Sequence, residues 1–248
     1  MTTGNSAAMT VSVAKMAPPD ISQSKCEELD KKNKKERQKA IRGMEGSDSE
    51  SAALSDARGK AEGGGMTFSS ASISVGVGGG KGISGVASGC SNAKAKECTS
   101  GSLVEGGTSE MKTGDQKVLC PEAKYEHAAG GSGAHAEAKI VNQMTEMANK
   151  AGGSLQGGSV LINVDWRYKQ PDGNVYESGM PCKACYRMMC AAKKCGIDIF
   201  LCDANNEPQP LDPDDNCDKK SKDPAKSPYK DLDQRMKEHP YKGVRRVS

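Results

Sequence analysis

Hydrophobic positions recur along the chain with two periods, and most of the bulky ones lie between Ile140 and Leu201. From His135 to Ala151, Ile140, Val141, Met144, Met147, Ala148 and Ala151 fall at helical spacing, and Gly152-Gly153 supplies a stop. The period then drops to two. Val160, Ile162, Val164, Trp166 and Tyr168 alternate with Asn163, Asp165, Arg167 and Lys169, which predicts a strand with one buried face. Pro171-Asp-Gly-Asn174 is turn chemistry. Helical spacing returns from Cys182 to Cys195, with Cys185, Met188, Met189 and Ala192 on one side and Gly196 behind them. Ile197 to Cys202 is nearly all apolar, the pattern of a central strand. Asn205-Asn206 can turn it into a short returning strand over Glu207 to Leu211.

Upstream the signal is thinner. Ser22 to Gly43 suits a helix, with Ser24 and Glu27 matching a capping box and Gly43 as the stop. Its middle, Lys31 to Lys39, is charged on every face, which favours a solvated helix over a nucleic-acid arm or a handle for a secretion machine. Met66 to Val77 alternates in part, placing Ile73, Val75 and Val77 on one face of a candidate strand. A second strand starts near Ile83. Gly78-Gly-Gly-Lys81-Gly82 is not a phosphate loop, because Val75 stands where the first glycine is needed and Gly82 replaces the required Ser or Thr. Ser91 to Thr113 yields no reading. Pro213 to Pro228 reads as loop, Ser227 or Tyr229 to Glu238 as a last helix, and Lys242 to Arg246 as a frayed basic end.

Composition fits this unevenness. Only 35% of the 248 residues are hydrophobic and 4% aromatic, so the chain holds one compact domain flanked by sparsely packed sequence. The expected division is a polar leader over 1–65, containing the helix at about 22–43, a core over 66–211, and a charged tail over 212–248. A net charge of +3 excludes a wholly electrostatic nucleic-acid binder but leaves room for a local basic groove. The first residues lack a basic segment followed by an apolar run, and no stretch has the length of a membrane span. Ten cysteines invite a disulfide framework, yet the expectation here is reduced thiols and a metal site in a protein that works in cytosol.

The chemistry concentrates at two helix starts. His135-Ala-Glu137 opens one, and Pro181-Cys182-Lys-Ala-Cys185 opens the other. Cys182 and Cys185 lie one helical turn apart, so both sulfurs can face one point, and a helix N-terminus favours their negative charge. Three protein ligands leave a position for water, as catalytic zinc sites do. The candidates are His135, Cys182 and Cys185. Of the other histidines, His239 lies in the tail and His127 in a loop. Against this stands a cysteine-only zinc knot drawn from Cys182, Cys185, Cys190, Cys195, Cys202 and Cys217, a binding module with His135 incidental. Cys190, Cys195 and Cys202 fall at buried positions, where a free cysteine acts as a small hydrophobe.

H-x-E followed at a distance by P-C-x-x-C resembles the signature of the zinc-dependent nucleoside and nucleobase deaminases, and the likeness runs from about Met66 to Leu211. It implies an α/β fold, a cytidine deaminase-like mixed β-sheet with helices packed on it. An antiparallel return after the second helix is similar to the branch holding cytidine deaminase and bacterial toxin deaminases. It also implies one Zn2+ per chain, held by His135, Cys182 and Cys185, with Glu137 as the acid/base that carries protons. Gly179 and Met180 would then lie at the pocket rim, and Tyr176 and Tyr186 are candidates to stack on a base. Trp166 and Tyr168 are better placed for core packing.

A low-complexity leader ahead of such a domain resembles interbacterial toxin effectors that deaminate cytosine in the nucleic acid of a target cell. The implied partners are single- or double-stranded nucleic acid, a cognate immunity protein, and a secretion-system component reached through the leader. The expected site of action is cytoplasmic, after delivery without a signal peptide of the ordinary kind. The alternatives are a metabolic deaminase of free cytidine or its nucleotides, and a non-catalytic zinc-binding interaction module.

Overall fold

A computed structural model describes residues 14–15, 20–44, 67–77, 81–91, 116–126, 135–150, 152–169, 175–179, 181, 183–211, 217 and 244–246. Within them the chain runs β1 (Ala14–Lys15), α1 (Gln23–Met44), β2 (Thr67–Val77), β3 (Lys81–Cys90), β4 (Gln116–Cys120), β5 (Ala123–Glu126), α2 (Ala136–Lys150), β6 (Ser154–Lys169), β7 (Val175–Ser178), α3 (Lys183–Lys193), β8 (Asp198–Cys202), β9 (Pro208–Pro210) and β10 (Val244–Arg246). The architecture is mixed α/β, a mixed sheet with helices packed on it, as expected.

The long alternating segment that became β6 is the hub of the sheet. It runs antiparallel to β2, which is antiparallel to β3 on its other side, and parallel to β8. β9 returns antiparallel to β8. Asp203 builds that return: its Oδ1 accepts the backbone N–H of Asn205 and of Glu207, each at 2.8 Å, and Asn206 takes a φ of 60°. Only Asn, Asp and Gly enter that region at low cost, so the Asn-Asn pair was a sound turn signal.

This order places the two site-bearing helices. Because β3 and β6 are both antiparallel to β2, they run parallel to each other, and both Cys90 and Asp165 stand opposite Phe68. Their C-terminal ends therefore share one end of the sheet. α2 follows β3 through the β4–β5 hairpin, and α3 follows β6 through β7. Both helices bury their apolar sides in one core with Ala71, Ile73, Val75, Val160, Ile162 and Val164. The stops are as predicted: Gly152 and Gly196 take positive φ and donate to the last turns of α2 and α3.

The opposite sheet face is covered by α1, and here three expectations are corrected. First, the helix is not solvated all round. Cys26, Leu29, Asn33, Arg37 and Ala40 are buried against that face. Arg37 Nε donates to Asp165 Oδ2 at 2.9 Å, and Asn33 Nδ2 donates to Asn163 Oδ1 at 2.8 Å. Asn163 and Asp165, which alternate with the apolar positions of β6, are the partners of these polar residues on α1. Second, the N-cap is Ser22, whose Oγ accepts the Lys25 N–H at 3.2 Å, and not Ser24. Third, the thiols are not all reduced. Disulfides join Cys26 to Cys202, Cys120 to Cys195 and Cys190 to Cys217, and Cys90 is also disulfide-bonded. Cys190, Cys195 and Cys202 are thus not the small free hydrophobes expected.

Three strands arise where little was expected. β4 and β5 form a separate hairpin in the apolar-poor region, anchored by Leu119 and Ala123 in the core. Val244 to Arg246, expected to fray, pair with Ser178, Glu177 and Tyr176 of β7. The last helix expected over 227–238 and the linker over 45–65 lie outside the described residues. No helix among the described residues is long and apolar enough to cross a membrane.

Candidate metal centre

Two helix N-termini meet over the shared end of the sheet. His135 immediately precedes α2, Glu137 is in its first turn, and Cys185 is in the first turn of α3. His135 Nδ1 and Cys185 Sγ lie 3.3 Å apart. Ligand atoms of His135, Glu137 and Cys185 all fall within 4.8 Å of one another, so the three could hold a metal ion. Glu137 and Cys185 are buried and His135 is half-exposed.

The dimensions suit zinc. Zn–N near 2.0–2.1 Å and Zn–S near 2.3 Å, at a tetrahedral angle, put nitrogen and sulfur about 3.5 Å apart. The observed 3.3 Å is close to that. The donor set of imidazole, thiol and carboxylate suits the same metal. Both helix ends direct partial positive charge at the acidic groups, favouring their charged forms.

The oxidation pattern singles out the same sulfur. Among the described cysteines, Cys185 is the one outside a disulfide. Its own helix carries Cys190, which is oxidised, and the turn after it carries Cys195, also oxidised. A knot of cysteines is not formed, because Cys190, Cys195, Cys202 and Cys217 are committed to S–S bonds.

The helix that presents His135 and Glu137 is held against β3. A Cβ built on Gly89 would lie 2.9 Å from the Ala136 carbonyl oxygen and 3.2 Å from Lys139 Cβ, so only glycine admits the first turn of α2 so closely. Lys139 Nζ donates to the Cys90 carbonyl at 2.9 Å, and Gln143 Nε2 donates to that of Ser88 at 3.2 Å. These positioning contacts escaped the sequence reading. Lys139 and Gln143 sit at i and i+4 on one side of α2, a spacing that could have marked a buried polar edge.

Gly179 is half-buried, and a Cβ there would come within 3.0 Å of the Cys202 carbonyl oxygen, so this segment crosses the end of β8 closely. Pro181 is buried. Cys182, Met180 and the side chain of Tyr176 lie outside the described residues. Tyr186 is buried in the core cluster, a setting that suits packing better than stacking on a base. Trp166 packs partly buried against the same core, as expected. The chain matches no protein-family model, no curated protein and no solved structure in the comparisons made.

Proposed function

We propose that the chain is a zinc-dependent hydrolytic deaminase that converts cytosine to uracil in nucleic acid and acts as a bacterial toxin effector. The observation that carries the reading is the His135–Cys185 approach of 3.3 Å with the Glu137 carboxylate in the same cluster. The antiparallel β8–β9 return supports it, being the arrangement that the resemblance to the deaminase superfamily implies.

His135 and Cys185, with Cys182 by its place in the motif, would hold one Zn2+, and Glu137 is kept for proton transfer. When bound, zinc would supply the charge that lowers the pKa of water to about 7. Glu137 takes a proton from the attacking water and delivers it to the ring nitrogen beside the amino-bearing carbon. A C4–O bond forms, the C4–N bond breaks, and Glu137 passes the second proton to the departing ammonia. Burial of Glu137 keeps bulk water from competing for those protons.

The toxin role draws support from the disulfides, which persist outside reducing compartments and suit an exported protein better than a resident metabolic enzyme. An exported effector of this kind implies an immunity protein in the producing cell and a delivery partner for the leader.

Expression of the wild type and of Glu137→Ala in bacteria, followed by genome and transcript sequencing, tests the reading. C-to-T or C-to-U changes with toxicity, both lost in the variant, are expected. Ammonia release from free cytidine without any change in nucleic acid would point to the metabolic enzyme. Bound zinc without deamination of any cytosine substrate would leave an interaction module.

A further inference from the structure

The outer face of α1 is as ordered in charge as its inner face is in packing. Lys31, Lys35, Lys39 and Arg42 are all exposed. At about 100° per residue they fall within an arc of about 80°, along about 16 Å of helix. The buried residues Leu29, Asn33, Arg37 and Ala40 are centred on the opposite side. Glu36, the acidic residue within this span, lies on the flank, about 100° round from the four cations. Glu28, before the span, is paired with Lys25 at 2.7 Å, and Lys34 with the inward-facing Asp30 at 2.7 Å. A solvated helix face ordinarily mixes signs. From Lys31 to Arg42 this one carries a single sign, the exposed acids Glu27 and Glu28 lying in the turn before it.

The ladder is also rigidly mounted. The Arg37–Asp165 and Asn33–Asn163 contacts and the Cys26–Cys202 disulfide fix α1 to β6 and β8. Four cations on a fixed helix form a preorganised surface, so a ligand spends little ordering them. We infer that the outer face of α1 binds the phosphate backbone of a nucleic acid. Consecutive rungs rise about 6 Å, a spacing that lets separate phosphates of one strand be met by separate side chains. The choice of nucleic acid as the polyanion rests on the proposed function. The face lies across the sheet from His135 and Cys185, so it holds sequence flanking the reacting base and gives a polymer an advantage that free cytidine lacks.

The test uses the full chain and a variant, Lys31→Gln/Lys35→Gln/Lys39→Gln/Arg42→Gln, whose altered side chains lie outside the packed face. Binding of a fluorescent, cytosine-containing single-stranded DNA is followed by anisotropy across a salt series. The wild type should lose affinity with salt. The variant should bind at least ~10-fold more weakly at low salt, with a log–log slope shallower by roughly 2–3, since each phosphate contact contributes about 0.7. Ammonia release from free cytidine should not change. Equal affinity and slope in the two proteins would overturn the inference, as would loss of binding to an acidic peptide with DNA binding intact, which would assign the face to a protein partner. Ladder-dependent DNA binding in a protein that deaminates nothing would uphold this surface while sinking the catalytic reading.

Discussion

Arg37 on α1 and Asp165 on β6 form an ion pair buried at both ends, 2.9 Å from Nε to Oδ2. Arg37 also donates to the Asp165 carbonyl at 2.7 Å and stacks 4.5 Å over the Phe68 ring. Such a pair adds little over an apolar pair of equal volume, but removing Arg37 leaves the buried Asp165 with a more distant cation, Arg167 Nε at 3.4 Å from Oδ1. Arg37→Ala should therefore lower stability by about 3–5 kcal/mol, read from urea unfolding. Arg37→Met with Asp165→Leu should recover most of that loss. A single variant within about 1 kcal/mol of wild type would mean that α1 is not docked as described.

The same pair shows where the sequence was legible and where it was not. Alternation along β6 gave the strand and its apolar face, and helical spacing with glycine stops gave α2 and α3. Those signals are local. Polarity on a strand ordinarily means water, yet Asn163 and Asp165 are buried. Their partners Asn33 and Arg37 are 130 and 128 residues away in the chain, and nothing local announces them. The disulfides failed for the same reason, with Cys26 and Cys202 separated by 176 residues. The His135, Glu137 and Cys185 group was legible because each member sits at a helix start, and the parallel relation of β3 and β6 then sets those starts side by side.

The cluster leaves two roles for Glu137, ligand or proton carrier, and metal content separates them. His135→Ala and Cys185→Ser should each cut zinc per chain well below that of wild type, measured by elemental analysis of purified protein. They should also lower stability, because metal binding is linked to folding. Glu137→Gln should retain zinc and lose about 10²- to 10⁴-fold in turnover. Zinc loss in Glu137→Gln as complete as in Cys185→Ser would show the carboxylate to be a ligand.

Gly89 makes a geometric prediction. A methyl group there meets the Ala136 carbonyl at 2.9 Å, a backbone atom that cannot rotate away. Gly89→Ala should push the first turn of α2 off β3 at a cost of about 1–3 kcal/mol. Because His135 and Glu137 ride on that turn, zinc affinity should fall as well. Gly76→Ala is the control, since among the described residues the nearest atom to its added methyl, the Gln156 carbonyl oxygen, would be 3.4 Å away. Equal zinc affinity in Gly89→Ala and wild type, measured by competition with a chromophoric chelator, would break the link between this glycine and the site.

Cys185 remains a thiol in a chain whose other described cysteines are oxidised, and its burial alone does not account for that. Cys26, Cys190, Cys195 and Cys202 are also buried and are disulfide-bonded. One contact that sets it apart is the imidazole of His135, 3.3 Å from its sulfur. If that pair holds zinc while the chain oxidises, the thiolate is withdrawn from exchange, because coordinated sulfur is a poor nucleophile towards a disulfide. Reduced, unfolded protein refolded in a glutathione–glutathione disulfide buffer with zinc should give the pairs Cys26–Cys202, Cys120–Cys195 and Cys190–Cys217 by peptide mapping. Cys185 should then be recovered by alkylation after chelation. Refolding with a chelator from the start should divert Cys185 into non-native pairs or glutathione adducts and lower the yield of folded protein. Cys182→Ser/Cys185→Ser, which lacks both proposed sulfur ligands, should refold to the same pairs with or without the metal. An identical disulfide map for the wild type in both buffers would show that the fold alone, and not the metal, keeps Cys185 reduced.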